Sequence, residues 1–184
     1  MKVMRTIYNL GFSVMLFSML VFSACTDSRQ IQLDLIQAEE QKIAKAVNAP
    51  MDIEVAKRLI DLYSDYIATY PDDTLSPKYL FKTGEIQMNI GESQLAINSL
   101  DSLIQKYPNA SLVPQAIYLQ GFIWEDRIHS TEKARIAFES LIKQFPNHEL
   151  SENAKLYIQV LGKSPEELIK EFEKADSSAV TLPN

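Results

Sequence analysis

The 184-residue sequence predicts an all-α fold, a short α-solenoid of antiparallel helix pairs with a C-terminal capping helix. Three observations carry this. Residues Ser76–Pro108 and Val113–Pro146 read as two copies of one unit: Gly84 recurs as Gly121, 37 positions on, and Ala96 and Leu100 recur as Ala134 and Phe138, 38 positions on. The pairs Tyr70-Pro71, Tyr107-Pro108 and Phe145-Pro146 repeat at the same interval, and proline there ends a helix because it cannot extend the hydrogen-bond ladder. Glycine is scarce, 5 residues in all, which suits helices better than sheets and tight turns.

Taken in order, residues 29–47 read as a first helix. Ile31, Leu35, Ala38, Lys42 and Val47 form its stripe, with Ile36 and Ile43 widening it. Asn48-Ala49-Pro50 breaks it. Asp52–Tyr70 is a second helix with Val55, Leu59, Leu62, Tyr63, Tyr66 and Ile67 on one face, and its tail matches the second helix of the later units. In the first unit, helix A is Pro77–Asn89, capped by Ser76, and helix B is Glu92–Lys106, with Gly91 between them. In the second unit the helices are Val113–Arg127 and Thr131–Gln144, and the one-residue insertion before Ala134 is expected to lengthen their turn. A third helix A, Leu150–Leu161, keeps Ala154 in register with Ala116 but has Gln159 where glycine would recur, so looser packing is expected there. Gly162 stops it. Ser164 and Glu167 form a capping box for a terminal helix, Pro165–Ala175, whose apolar face is Leu168, Ile169 and Phe172. Residues 176–184 read as a disordered tail.

Composition excludes several roles. With 24 acidic and 18 basic residues the net charge is −6, so no basic stripe for nucleic acid is expected. His129 and His148 stand apart from each other and from any cysteine, so no metal site and no cofactor are expected. No phosphate-binding loop or nucleophile–base pair is present in the sequence, and the acids are scattered as on solvated helix faces. The chain reads as a binding protein without enzymatic activity or a small-molecule substrate. One domain is expected from the length.

Lys2 and Arg5 precede an apolar run, Leu10–Phe22, which is too short to span a bilayer comfortably. Ser23, Ala24 and Cys25 follow, as in a secretory signal. Val21-Phe22-Ser23-Ala24-Cys25 resembles a bacterial lipobox. That resemblance implies a signal peptide over residues 1–24, cleavage before Cys25, and diacylglycerol and a fatty acyl group such as palmitate on that residue. Phe22 departs from the commoner leucine. The alternative is an ordinary cleavage site with an incidental cysteine. Two or more acyl chains would anchor the protein stably. Residues 25–30 would be a lipidated tether and residues 31–175 the helical domain. In enterobacterial lipoproteins Asp directly after the cysteine retains the protein at the inner membrane; here Thr26 holds that place, pointing to the outer membrane facing the periplasm.

The repeated residues resemble the tetratricopeptide repeat. Gly84, Ala96, Leu100 and Pro108 fall on its glycine, alanine, large apolar and proline positions, as do Gly121, Ala134, Phe138 and Pro146. Trp124 falls where the family has tyrosine in helix A. Leu80 and Ile117 stand in for the family's tryptophan, and Thr83 and Gln120 for its leucine. A lipobox followed by such repeats is similar to BamD-type outer-membrane assembly lipoproteins and to the repeat domain of the Tol–Pal coordinator protein. The resemblance implies a concave groove lined by the A helices. Its residues would be Lys78, Phe81, Glu85, Met88 and Asn89, then Gln115, Tyr118, Phe122, Glu125 and Asp126, then Asn153 and Leu156. Phe81, Tyr118 and Leu156 share one repeat position, either an open ladder of anchors or part of the core. Trp124 is expected to be packing. The expected function is a membrane-anchored adaptor that binds another cell-envelope protein or peptide, in outer-membrane assembly or envelope maintenance. The alternative is a self-associating structural subunit whose groove is closed by its own helices.

Overall fold

A computed structural model describes residues 28–45 and 50–179, without the side chains of residues 171–172 and 175–179. The expected signal peptide over residues 1–24, Cys25, Val47 and Phe172's side chain lie outside that description. The described residues form helices and turns without strands, so the all-α solenoid expectation holds. The helices are α1 (residues 28–45), α2 (Ile53–Thr69), α3 (Ser76–Asn89), α4 (Ser93–Lys106), α5 (Val113–Phe122), a π-helical turn (Ile123–Arg127), α6 (Thr131–Gln144), α7 (Glu149–Val160) and α8 (Pro165–Ala179). The chain divides into two compact units, Met1–Asp73 and Thr74–Asn184.

Unit one is held by polar links as well as apolar packing. Ile36 is 2% exposed, whereas Ile31 and Leu35 are 53% and 51% exposed. The inner face of α1 is therefore rotated from the expected stripe. The rotation follows its partners on α2 and in the turn after it: Tyr63 donates to Glu40 Oε1 (2.6 Å), Glu39 lies 3.7 Å from Arg58, and Arg29 pairs with Asp73 at 2.8 Å. These polar residues have to face α2, and they carry Ile36 inward with them. Asp52 caps α2 by accepting from the N–H groups of Glu54 and Val55.

Unit two carries the repeats. α3 pairs with α4, α4 packs on α5, and α6 packs on both α5 and α7. Ala96, Leu100, Leu103, Ala134, Phe138 and Leu141 are fully buried along the B helices. Two glycines let the A helices approach. A Cβ on Gly84 would fall 2.9 Å from Leu100, and one on Gly121 would fall 2.4 Å from Phe138 Cε1. Gln159, in the third glycine place, is exposed on α7.

The repeat also recurs in backbone conformation. Tyr70, Tyr107 and Phe145 have φ/ψ of −128/61°, −128/56° and −130/57°, outside the α region that a following proline disfavours. Ser151, fully buried, donates at 2.6 Å to the Phe145 carbonyl left free at the end of α6.

Three further expectations are corrected. Ser76 lies inside α3 and is buried, with Leu75 at the cap position and no side-chain cap bond. The inserted residue of repeat two is absorbed in the π-helical turn, not in the connection. α8 continues to Ala179, four residues beyond the expected end. Ala154 of α7, and Leu161 just after it, are buried against the core cluster. The capping box is present: Ser164 N–H donates to Glu167 Oε2 (2.8 Å), and Glu167 N–H donates to Ser164 Oγ (3.2 Å).

Candidate functional site

The candidate face is built by α3, α5 with its π-helical turn, and α7. Each is tied from behind: α3 to α4, α5 to α6, and α7 to α6. With one side of each helix committed to the core, the opposite side is left to the face.

The structure distributes the expected groove residues unevenly. Lys78, Asn89, Asp126 and Asn153 are exposed. Phe81, Met88, Tyr118 and Phe122 are half-buried and rest on the hydrophobic core. Leu156 is 62% exposed. The expected ladder is thus two rungs seated in the core, Phe81 and Tyr118, and one standing free, Leu156. Glu85, Gln115 and Glu125 are half-buried polar residues between these extremes.

α5 and α7 pack directly on one another, and there the aromatic side chains converge. Tyr118 meets Phe122 edge-on at 5.0 Å between centroids, and Phe122 meets Tyr157 at 4.7 Å. Phe138 lies beneath, 5.6 Å from Tyr118, 6.0 Å from Phe122 and 5.4 Å from Tyr157. Such tilted pairs lock each other's rotamers and give a rigid platform. Tyr157 was missed in the sequence because the repeat register drew attention to its neighbour Leu156. A signal was present: it lies on the helix that follows a repeat whose glycine faces an aromatic residue, Phe138.

Polar chemistry collects at the same end. Gln115, Tyr118, Phe122 and Glu125 follow one another at helical spacing. Gln115 Oε1 and Glu125 Oε2 are shielded from solvent and have no hydrogen-bond donor among the described residues. Burial pushes the Tyr157 hydroxyl above the ordinary tyrosine value, and the carboxylates of Glu125 and Asp126 push it further. Burial likewise raises Tyr118, with a smaller contribution from Tyr157. At the α3 end, burial raises the Glu85 carboxyl while the Lys82 ammonium draws it back.

On the other side of the same unit, α4, α5 and α6 enclose a hollow of about 350 Å³ lined by Ile104, Ile117, Trp124 and Ile136. Trp124 is half-buried, and the Lys133 ammonium lies 4.2 Å from its ring centroid. Its role is therefore mixed: it packs, and it walls an open hollow. His148 accepts from the Leu150 N–H at 3.2 Å as the cap of α7. Among the described residues no group of three or more His, Cys, Asp or Glu could hold a metal ion.

Comparison with known families matches residues 78–110 and 115–148 to the tetratricopeptide repeat. The two matched segments are the two helix pairs, α3–α4 and α5–α6. No curated protein matches the chain.

Proposed function

We propose that this protein is a membrane-anchored adaptor that binds another cell-envelope protein or peptide through the face formed by α3, α5 and α7. The observation that carries the reading is the α5–α7 platform. Rigid, partly exposed rings beside an exposed leucine and two enclosed acceptors suit a peptide more than a small molecule. Tetratricopeptide repeats generally mediate protein–protein contacts, and two of them make up the matched part of the chain.

The anchor belongs to the same proposal. Cys25, after the apolar run, would carry the acyl chains and hold an acidic domain at a membrane that would otherwise repel it. The outer membrane facing the periplasm is the proposed location, and outer-membrane assembly or envelope maintenance the proposed setting.

Two experiments test this. Photo-cross-linkers at Asn89, Asn153 and Leu156 should capture one envelope protein in cells, while linkers at the exposed α6 positions Glu139 and Lys143 should not. Capture of only this chain from the groove positions would favour the self-associating subunit. Separately, Cys25→Ser should abolish labelled palmitate incorporation and release the protein from the membrane fraction. Retention of both label and membrane association would rule out the anchor.

A further inference from the structure

The α5–α7 end of the face has a charge character that the α3 end lacks. Among the described residues, Asp126 is paired with Arg127 at 3.0 Å, but no ion pair reaches Glu125. Its Oε2 is enclosed and has no donor, and Gln115 Oε1, on the same side of α5, is in the same condition. Enclosed acceptors without donors favour any partner that brings N–H groups to them. The rings of Phe122 and Tyr157 adjoin, 4.7 Å apart, and Glu125 and Asp126 lie close enough to Tyr157 to act on its hydroxyl. At the α3 end, by contrast, Glu85 already has the Lys82 ammonium nearby.

An aromatic wall beside an uncompensated carboxylate is the arrangement that holds a guanidinium or an ammonium. The ring faces attract the cation, and the carboxylate accepts its hydrogen bonds. The apolar stem of such a side chain could lie along Leu156, which is 62% exposed. The whole chain is acidic at net charge −6, which would steer a basic partner toward it.

We infer that the α5–α7 end of the groove recognises a partner peptide through a lysine or arginine flanked by apolar residues, with Glu125 receiving the cation against Phe122 and Tyr157. This rests on the groove reading above and names the chemistry of its occupant. Glu125 stands in the π-helical turn, so the residue that repeat two has gained over repeat one falls where the partner is selected.

The test uses the full chain and three labelled amphipathic helical peptides of about 16 residues, built from leucine with lysine, with glutamine or with glutamate. The lysine peptide should bind about tenfold tighter than the glutamine peptide, and the glutamate peptide weakest. Glu125→Gln should remove that tenfold preference, while Glu139→Gln, a control of equal charge change on the exposed side of α6, should leave it. Leu156→Ser should weaken all three peptides. Equal binding of the lysine and glutamine peptides, or equal behaviour of the two glutamine variants, would overturn the inference. If Leu156→Ser still weakened binding in that case, the groove reading would survive. Failure of every peptide to bind would remove both.

Discussion

Repeat one and repeat two keep the same frame and solve the same joint differently. In repeat one the Glu92 N–H closes back onto the Gln87 carbonyl at 2.8 Å, and Gly91 supplies a φ of +84°. In repeat two the register equivalents are Ser130 and Trp124, whose bond is 2.7 Å but spans one more residue, and His129 takes a φ of 58°. The Ile128 N–H bonds to the Ile123 carbonyl at 3.0 Å, which is the i→i+5 bond of a π turn. Both repeats return to register at Ala96 and Ala134, each fully buried. The difference teaches where this chain tolerates change. The buried contacts of the B helices fix the frame, and an added residue is expelled into the last turn of helix A, beside the groove.

The largest expected effect breaks the frame itself. Phe138→Ala should cost about 4 kcal/mol and Leu100→Ala about 3 kcal/mol, read from urea unfolding. The glycine facing each sharpens the contrast. Gly121→Ala puts a methyl 2.4 Å from a ring carbon and should cost about 2–3 kcal/mol, whereas Gly84→Ala meets Leu100 Cγ and Cδ2 at 2.9 Å, a smaller overlap, and should cost about 1 kcal/mol after the helix-propensity gain. Phe138→Leu should rescue part of the Gly121→Ala loss; purely additive losses in the double variant would show that the ring is not the obstacle.

The next effect lies in the turns. Gly91→Ala should cost about 1 kcal/mol because φ is positive there, while His129→Gly should be neutral or slightly stabilising. Equal costs would mean that the His129 side chain, whose Nδ1 lies 3.2 Å from the Glu125 carbonyl, matters more than the backbone. Deleting Asp126 should restore the repeat-one spacing, convert the π turn to α-helix and change stability by under about 1 kcal/mol. Loss of cooperative unfolding in that variant would show that the π turn is structurally required.

The smallest effect concerns charge. Glu85 has its folded-state pKa raised by burial, so the folded state binds this proton more readily than the unfolded chain. The contribution of this group to stability therefore falls as pH rises through the carboxylate range up to its raised pKa, and is recovered on acidification. Glu85→Gln should be slightly stabilising at neutral pH and flatten that part of the pH–stability curve. A variant less stable than the parent at pH 7 would assign the dominant role to attraction from Lys82.

The parts of the candidate site that could be read in the sequence were those tied to the repeat period. Phe81, Tyr118 and Leu156 were placed together by spacing alone, and they do fall on A helices at equivalent turns. Their different exposures could not be read, because burial depends on the neighbouring helix: Tyr118 has Phe122 and Phe138 against it, and Leu156 does not. Tyr157 escaped because its importance comes from a ring on another helix, not from its own register.

Several helix ends follow from the sequence alone, because the proline stops and the Ser164–Glu167 box act within one turn, whereas the cap of α3 and the end of α8 do not. The sequence determined the buried frame too, because glycine, alanine and the large apolar residue must recur wherever two helices approach at the same distance. Helix packing, in contrast, decided which face of α1 turns inward and where the extra residue of repeat two is stored. Each of those outcomes is a choice among faces of nearly equal local preference. That choice is settled by the neighbouring helix: by Tyr63 and Arg58 for α1, and by the fixed seats of Gly121 and Ala134 for the insertion.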